Sequence, residues 1–329
     1  MKFDMELPTS REGIFVPVPF AGPKEIIRVL QESERLGFNA VWGTDFMTRT
    51  QGMGGIPDGQ PPNWYELLMV LSYAAAVTQR IKLATGVILL PYRDPIILAK
   101  QVATLDHFSN GRLILGLGLG FARDEFESIR PRDKKVHRGR MMDEKMEALR
   151  LLLSRGSEEV SYKGEYVEFQ GVNLNPKPVQ DPVPVYAPGR NPAALRRIAR
   201  WGDGLLISAA GGRGPIDAIL PLLEEQGRSL SDIDVVAEAE LCLAKTHEEA
   251  VKKYRESRMG QFRLSKVPDL DKLVSMNWIG TPDEAAEKIA KVKAQGITHF
   301  NALHIAGDTV EEMLDQMQTF AVEVMSKFD

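Results

Sequence analysis

Apolar and polar positions along the chain fall into a repeating unit: a short β-like run, then a stretch with helical spacing. The unit is clearest at residues 80 to 119. Arg80 to Leu90 alternates weakly and then turns wholly apolar, as a strand covered on both faces of a parallel sheet does. Asp94 stands where a helix N-cap belongs, and Pro95 at the first helical position, where its missing N–H is not needed. The spacing predicts a helix to Phe108 with Ile97, Leu98, Val102, Leu105 and Phe108 on one buried stripe. Ser109-Asn110-Gly111 ends it, and Arg112 to Leu119 reads as a second strand. In that strand Gly116, Gly118 and Gly120 alternate with Leu115, Leu117 and Leu119, so all three glycines face one side. A crowded barrel interior, a tightly packed helix or a flat cofactor ring lying on bare backbone would each demand this. A dinucleotide fingerprint fails on spacing.

Strands starting at Gly13, Phe38, Arg80, Arg112, Val183, Gly204, Val235 and His299, each followed by a helix, predict an α/β TIM (β/α)8 barrel with insertions, one domain over residues 1–329. Between them, helices are expected over residues 23–36, 64–77 (capped by Asn63), 138–153, 192–201, 215–226 and 248–258. Met142, Met146, Leu149 and Leu153 mark a core-facing stripe. Glu159 to Phe169 reads as a hairpin insertion, and 262–278 as partly helical. Thr281 with Glu284, and Thr309 with Glu312, have the spacing of capping boxes. The Gly- and Pro-rich run 46–62 is long for a compact domain and is a candidate lid.

Composition narrows the field. A net charge of −4 and a pI near 5.9 give no basic field for nucleic acid or an anionic membrane. With no long apolar run and a charged start (MKFDMELPTSREG), a soluble, cytoplasmic protein is expected. The one cysteine, Cys242, cannot form an internal disulfide, and the five histidines lack metal-site spacing.

In a TIM barrel the site lies at the C-terminal ends of the strands. Asp45, at the end of the second strand, could orient a ligand, act as a base or cap a turn. Two glycine-bearing loops precede helices, Ala187-Pro188-Gly189-Arg190-Asn191 and residues 209–214. Free N–H groups, a helix start and an arginine suit a phosphate, although such loops are also ordinary barrel turns. A buried strand-end lysine and a metal-ligating set are both missing, which weakens Schiff-base and metal-hydrolase readings. A cofactor that carries its own chemistry remains.

The runs TGVILLPYRDPIILAKQVATLDHFSNGRLILGLGLGFARDEF, LGFNAVWGTDF, PVYAPGRNPAALRRIARWGDGLLIS and IGTPDEAAEKIAKVKAQG resemble the bacterial luciferase-like monooxygenase superfamily, in its deazaflavin (coenzyme F420) dependent oxidoreductase branch. The resemblance implies a non-prolyl cis peptide at Gly86-Val87 backing the cofactor ring, flanked by Thr85, with Thr44, Asp45 and Phe46 at the end of the second strand also against the cofactor. It places Gly118 and Gly120 beside the ring, Glu125 near its polar edge, and Ala187, Pro188, Gly189 and Arg190 at its phosphate. Asp45 and Glu125 become the candidate acid–base residues, and a homodimer packed through helices 64–77 and 96–108 is implied. Three departures stand out. Phe46 replaces a frequent histidine, Pro188 replaces a frequent glycine, and the acid often found after the first strand is missing from Val16 to Phe20. The implied activity is hydride transfer between F420 and a small, apolar organic substrate. F420 is preferred to FMN because glycines stand where FMN-using relatives often carry an arginine. An FMNH2-dependent monooxygenase and a catalytically silent flavin-binding protein are the alternatives.

Overall fold

The computed structural model describes residues 1–49, 60–120, 122–156, 159–189 and 191–328. Eight parallel strands close into a barrel: β1 (Lys2–Glu6), β2 (Ala40–Gly43), β3 (Lys82–Thr85), β4 (Leu113–Gly118), β5 (Val185–Pro188), β6 (Gly204–Ser208), β7 (Asp234–Leu243) and β8 (His299–Ile305). Each pairs with the next, and β8 returns to β1 with Phe300 opposite Phe3. The TIM barrel expected from the strand count is therefore present.

Its first strand is not where the pattern placed it. Gly13 to Val18 forms turns and a single bridge between Glu12 and Val16, while β1 is the charged run KFDME. That run does alternate. Phe3 and Met5 pack outward under the helices, and Asp4 and Glu6 take the opposite, inward face. Acids pointing into a barrel hide a strand from any search for apolar runs.

The helices follow the expected caps with a few shifts. Asp94 accepts from the N–H groups of Ile96 and Ile97, and Pro95 opens helix Pro95–Phe108. The preceding helix starts at Leu67, capped by Glu66 rather than Asn63. Thr281 and Glu284 make a full capping box. Glu312 does not complete the second one, because its carboxylate accepts instead from the N–H of Asp308. Met142, Met146 and Leu149 are buried as expected. On Pro95–Phe108 the stripe is narrower than predicted, since Leu98, Val102 and Leu105 are buried but Ile97 is 60% and Phe108 75% exposed. The insertion after β7 holds helices Arg258–Lys266 and Leu270–Met276 and a short strand, Trp278–Gly280, which extends the sheet beside the end of β7. Val160–Lys163 and Glu168–Val172 form the expected hairpin. No helix among the described residues is long and apolar enough to cross a membrane.

The barrel interior is chemically divided. Ala40 and Trp42, Ala84, Ile114, Tyr186, Leu206 and Val236 form an apolar cluster from β2 through β7. The seam of β7, β8 and β1 is polar: Asp4 lies opposite Asn301, and Asn301 opposite Glu238.

Candidate active site

Strand β3 breaks at the barrel mouth. After Thr85 comes a cis peptide between Gly86 and Val87, as the resemblance implied, and the chain resumes as Ile88–Leu89. This extension pairs with Leu117 and Gly118 of β4, whereas Lys82–Thr85 also pairs with β2. The bend lies on the glycine face of β4. A Cβ at Gly116 would come within 1.9 Å of the Thr85 carbonyl oxygen, and one at Gly118 within 2.3 Å of Val87 Cγ2. The bulk that the glycines make room for is thus the neighbouring bend, the crowded-interior alternative. Gly120 lies beyond the strand at φ +85°, with Tyr92 against it, and does not share that face. Thr85 fastens the bend by donating its hydroxyl to the Gly116 carbonyl at 2.8 Å.

Asp45 fills the gap that the break leaves beside β2. Its Oδ2 accepts the Leu89 N–H at 3.0 Å and its Oδ1 pairs with Arg93 at 2.8 Å. Arg93 reaches on to Glu66, and the turn before it is held by the buried Lys145, whose amine donates to the carbonyls of Pro91 and Arg93. Burial raises the pKa of the Asp45 carboxyl, with Arg93 opposing, and lowers that of Lys145 to about 8.

Glu125 sits near the start of the short helix Arg123–Ile129 and is fully buried. Its Oε1 accepts from the N–H groups of Met47 and Thr48, at 2.8 and 3.3 Å, and its Oε2 from the Tyr92 hydroxyl at 3.2 Å. Burial raises its pKa too. Phe46 packs on Trp64, ring centres 5.2 Å apart. Residues 50–59 of the expected lid lie outside the described residues.

Thr44 follows β2 under a clasp, with its N–H donating to Thr9 Oγ1 and its carbonyl accepting from Thr9 and Ser10. Its own hydroxyl is buried without a hydrogen-bond partner among the described residues. Of the phosphate loop, Ala187 and Pro188 complete β5. Gly189 donates its N–H to the Leu206 carbonyl at 3.1 Å, and Asn191 caps the next helix on Ala194. Gly189 is needed for packing, since a Cβ there would lie 2.2 Å from Leu205. Arg190 lies outside the described residues. Helix Gly214–Glu224, after the second glycine loop, has no side-chain cap among the described residues.

The opposite wall holds two acids that the sequence did not single out, Glu6 and Glu240. Glu6, at the end of β1, pairs with Arg11 and stands 3.3 Å from His304 Nδ1. His304 Nε2 is 3.5 Å from Arg11, and Phe15 packs on the imidazole with ring centres 4.3 Å apart. On β7, Glu240 accepts from the Tyr254 hydroxyl at 2.6 Å and pairs with Arg263. With β1 at Lys2–Glu6, two acids stand at and after the first strand: Glu6 ends β1, and Glu12 follows in the loop, where it accepts from the N–H groups of Phe20, Ala21 and Asn63. The period-two pattern of KFDME was the signal that could have found Glu6.

The sequence profile described as luciferase-like monooxygenase matches residues 1–299. The chain belongs to the luciferase-like monooxygenase family. An F420-dependent glucose-6-phosphate dehydrogenase of Amycolatopsis mediterranei is 27% identical, covering 93% of this chain and 95% of its own. A limonene 1,2-monooxygenase of Rhodococcus erythropolis is 26% identical, over 92% of this chain and 81% of its own. The solved structure of a monooxygenase from Streptomyces bottropensis shares the fold with a TM-score of 0.82 at 24% identity, covering 100% of both chains.

Proposed function

We propose that this member of the luciferase-like family is an oxidoreductase that moves a hydride between coenzyme F420 and a small organic substrate at the C-terminal mouth of the barrel. The observation that carries the reading is the Gly86-Val87 bend, half-buried on β4 at the mouth, beside a buried Thr44 hydroxyl that lacks a partner among the described residues. A flat ring with a polar edge fits that pairing of surface and hydrogen-bonding group. The similarity to an F420-dependent dehydrogenase over nearly the whole chain supports the same choice.

Bound there, the deazaflavin supplies the carbon that gives or receives the hydride. The protein's part is positioning and proton handling. Val87 would back the ring, Thr44 Oγ1 would hydrogen-bond to its edge, and the loops at 187–191 and 209–214 would take the phosphate end. Asp45 is assigned to positioning, because its partners Leu89 and Arg93 belong to the bend. Glu125 is assigned to proton handling, because burial makes its carboxyl hold a proton more tightly than an exposed acid does.

Titrating the purified protein with F420 and with FMN, followed by absorbance, tests the proposal. F420 binding with substrate-dependent bleaching or recovery of its absorbance is expected, and binding of FMN alone would overturn it. The limonene enzyme among the relatives favours a second reading, a flavin-dependent monooxygenase, which turnover coupled to oxygen consumption would identify. A flavin-binding protein without catalysis would bind cofactor and turn over nothing.

We further propose a homodimer through the face of helices Leu67–Val77 and Pro95–Phe108. Met69, Tyr73, Ile97 and Phe108 all stand exposed there, and an apolar surface of this kind on two adjacent helices is better covered than left in water. A cytoplasmic location is part of this reading.

A further inference from the structure

Trp42 lies inside the barrel directly against the bend of β3. A Cβ built on Gly86 would come within 3.3 Å of its ring atom Cε3 and 3.6 Å of its Cβ. The indole is fully enclosed, with the Tyr186 ring 5.8 Å away. Its N–H donates to Asp4 Oδ2 at 2.9 Å, and Asp4 Oδ1 accepts from Asn39 Nδ2 at 2.7 Å. Asp4 is itself fully buried on β1. A carboxylate there is costly unless its oxygens are satisfied, and an apolar residue of similar size would stabilise a purely structural core at least as well. What the carboxylate adds is direction, since its two donors both come from around β2 and fix the plane of the indole.

We propose that Asp4 is a positioning residue for the candidate active site: by anchoring the Trp42 indole it holds the Gly86-Val87 bend on β4 and so sets the surface that receives the cofactor ring. This rests on the oxidoreductase reading above. The chain of contacts runs from β1 through β2 to β3, so the residue acts at a distance through one ring and touches no ligand. Other ionisable groups around Asp4 are Lys2 and Lys82, which act on its charge, Tyr186, whose hydroxyl is held protonated in part by it, and Glu238 and His299 on β7 and β8.

The test uses Asp4→Asn, Asp4→Leu, Trp42→Phe and the double variant Asp4→Leu/Trp42→Phe. In Asp4→Asn the Asn39 amide can flip, so that one acceptor still meets the indole, which makes this the conservative rescue. Dissociation constants for F420 and FMN are read by absorbance titration. Asp4→Leu is expected to weaken binding about tenfold, the size of one hydrogen bond to a charged group, with Asp4→Asn close to wild type. In the Trp42→Phe background, Asp4→Leu should change binding no further. Equal losses in both backgrounds would show a merely structural role and overturn the proposal.

A second readout needs no cofactor. The emission of Trp42, taken as the difference between wild type and Trp42→Phe, should shift as Asp4 titrates, a carboxyl that burial raises to about 6, and should not shift in Asp4→Asn. A Trp42 emission that is the same in wild type and Asp4→Asn at every pH sinks the anchoring, even if Asp4→Leu fails to fold. If the wild type binds neither cofactor, the oxidoreductase reading falls and the cofactor half of this proposal falls with it, while the emission still decides whether Asp4 holds Trp42.

Discussion

At the scale of single residues the mouth of the barrel is built by exclusion. Gly116 and Gly118 are glycines because Thr85 and Val87 occupy the space of their Cβ atoms. Since the Thr85 carbonyl is backbone, it cannot swing aside, and Gly116→Ala should destabilise the protein by about 1–3 kcal/mol or more, read as a lowered urea midpoint at unchanged slope. An unchanged midpoint would mean that the bend can retreat. Glu125→Gln keeps the shape but not the charge. It should lower kcat and abolish the limb of the pH profile that reports the raised carboxyl, whereas Asp45→Asn should chiefly weaken cofactor binding. A profile identical to wild type in Glu125→Gln would remove it from proton handling.

Two buried groups on the seam give a pH signature of opposite sign. Burial raises Asp4 to about 6, so it binds more protons folded than unfolded, and its contribution is full at low pH and lost as pH rises from about 4 to 6. Burial lowers His299 to about 4. Its contribution is present above 6.5, the ordinary value, and is lost as pH falls toward 4. In wild type the two trends oppose each other. Asp4→Asn removes one, so its stability should fall more steeply than wild type between pH 6.5 and 4, by up to about 3 kcal/mol for a group this buried. Parallel unfolding midpoints across that range would refute the account.

At the scale of elements, the sequence was legible where caps and apolar spacing agree. Asp94 and Pro95, Thr281 and Glu284, and the Met142–Leu149 stripe all fold as their pattern predicts. It was illegible where burial and polarity part company. β1 is a barrel strand with acids on its inner face, while the more apolar Gly13–Val18 is only a looped connection. Periodicity also cannot say what covers a face: Ile97 and Phe108 fit the helical stripe yet stand in the open. If a second copy covers them, Phe108→Glu with Tyr73→Glu should turn a dimer into a monomer in sedimentation or light scattering. Loss of dimer without loss of fold is the expected result, and an unaltered mass would remove this face from consideration.

At the scale of the whole molecule, eight units were countable because each strand precedes a helix, even though one strand was misplaced within its unit. The candidate site was half legible. The β2 to β4 wall was visible through its glycines and Asp45, and the family resemblance added the Gly86-Val87 peptide. The β7, β8 and β1 wall brings Glu240 and His304 to Glu6, which lies 234 and 298 positions before them in the chain, and follows no local motif. Only ring closure brings them together.

One consequence of the break in β3 lies in the timescale of a single proton. The Leu89 amide is secured by a side chain, Asp45, rather than by strand β2. Its exchange with solvent deuterium therefore clocks the integrity of the mouth, separately from the barrel ladder below it. It should slow when a ligand settles on the bend, and quicken in Asp45→Asn while the amides of Leu83 and Lys82 keep their rates. A silent clock at this one position would betray a mouth already rigid before any ligand arrives.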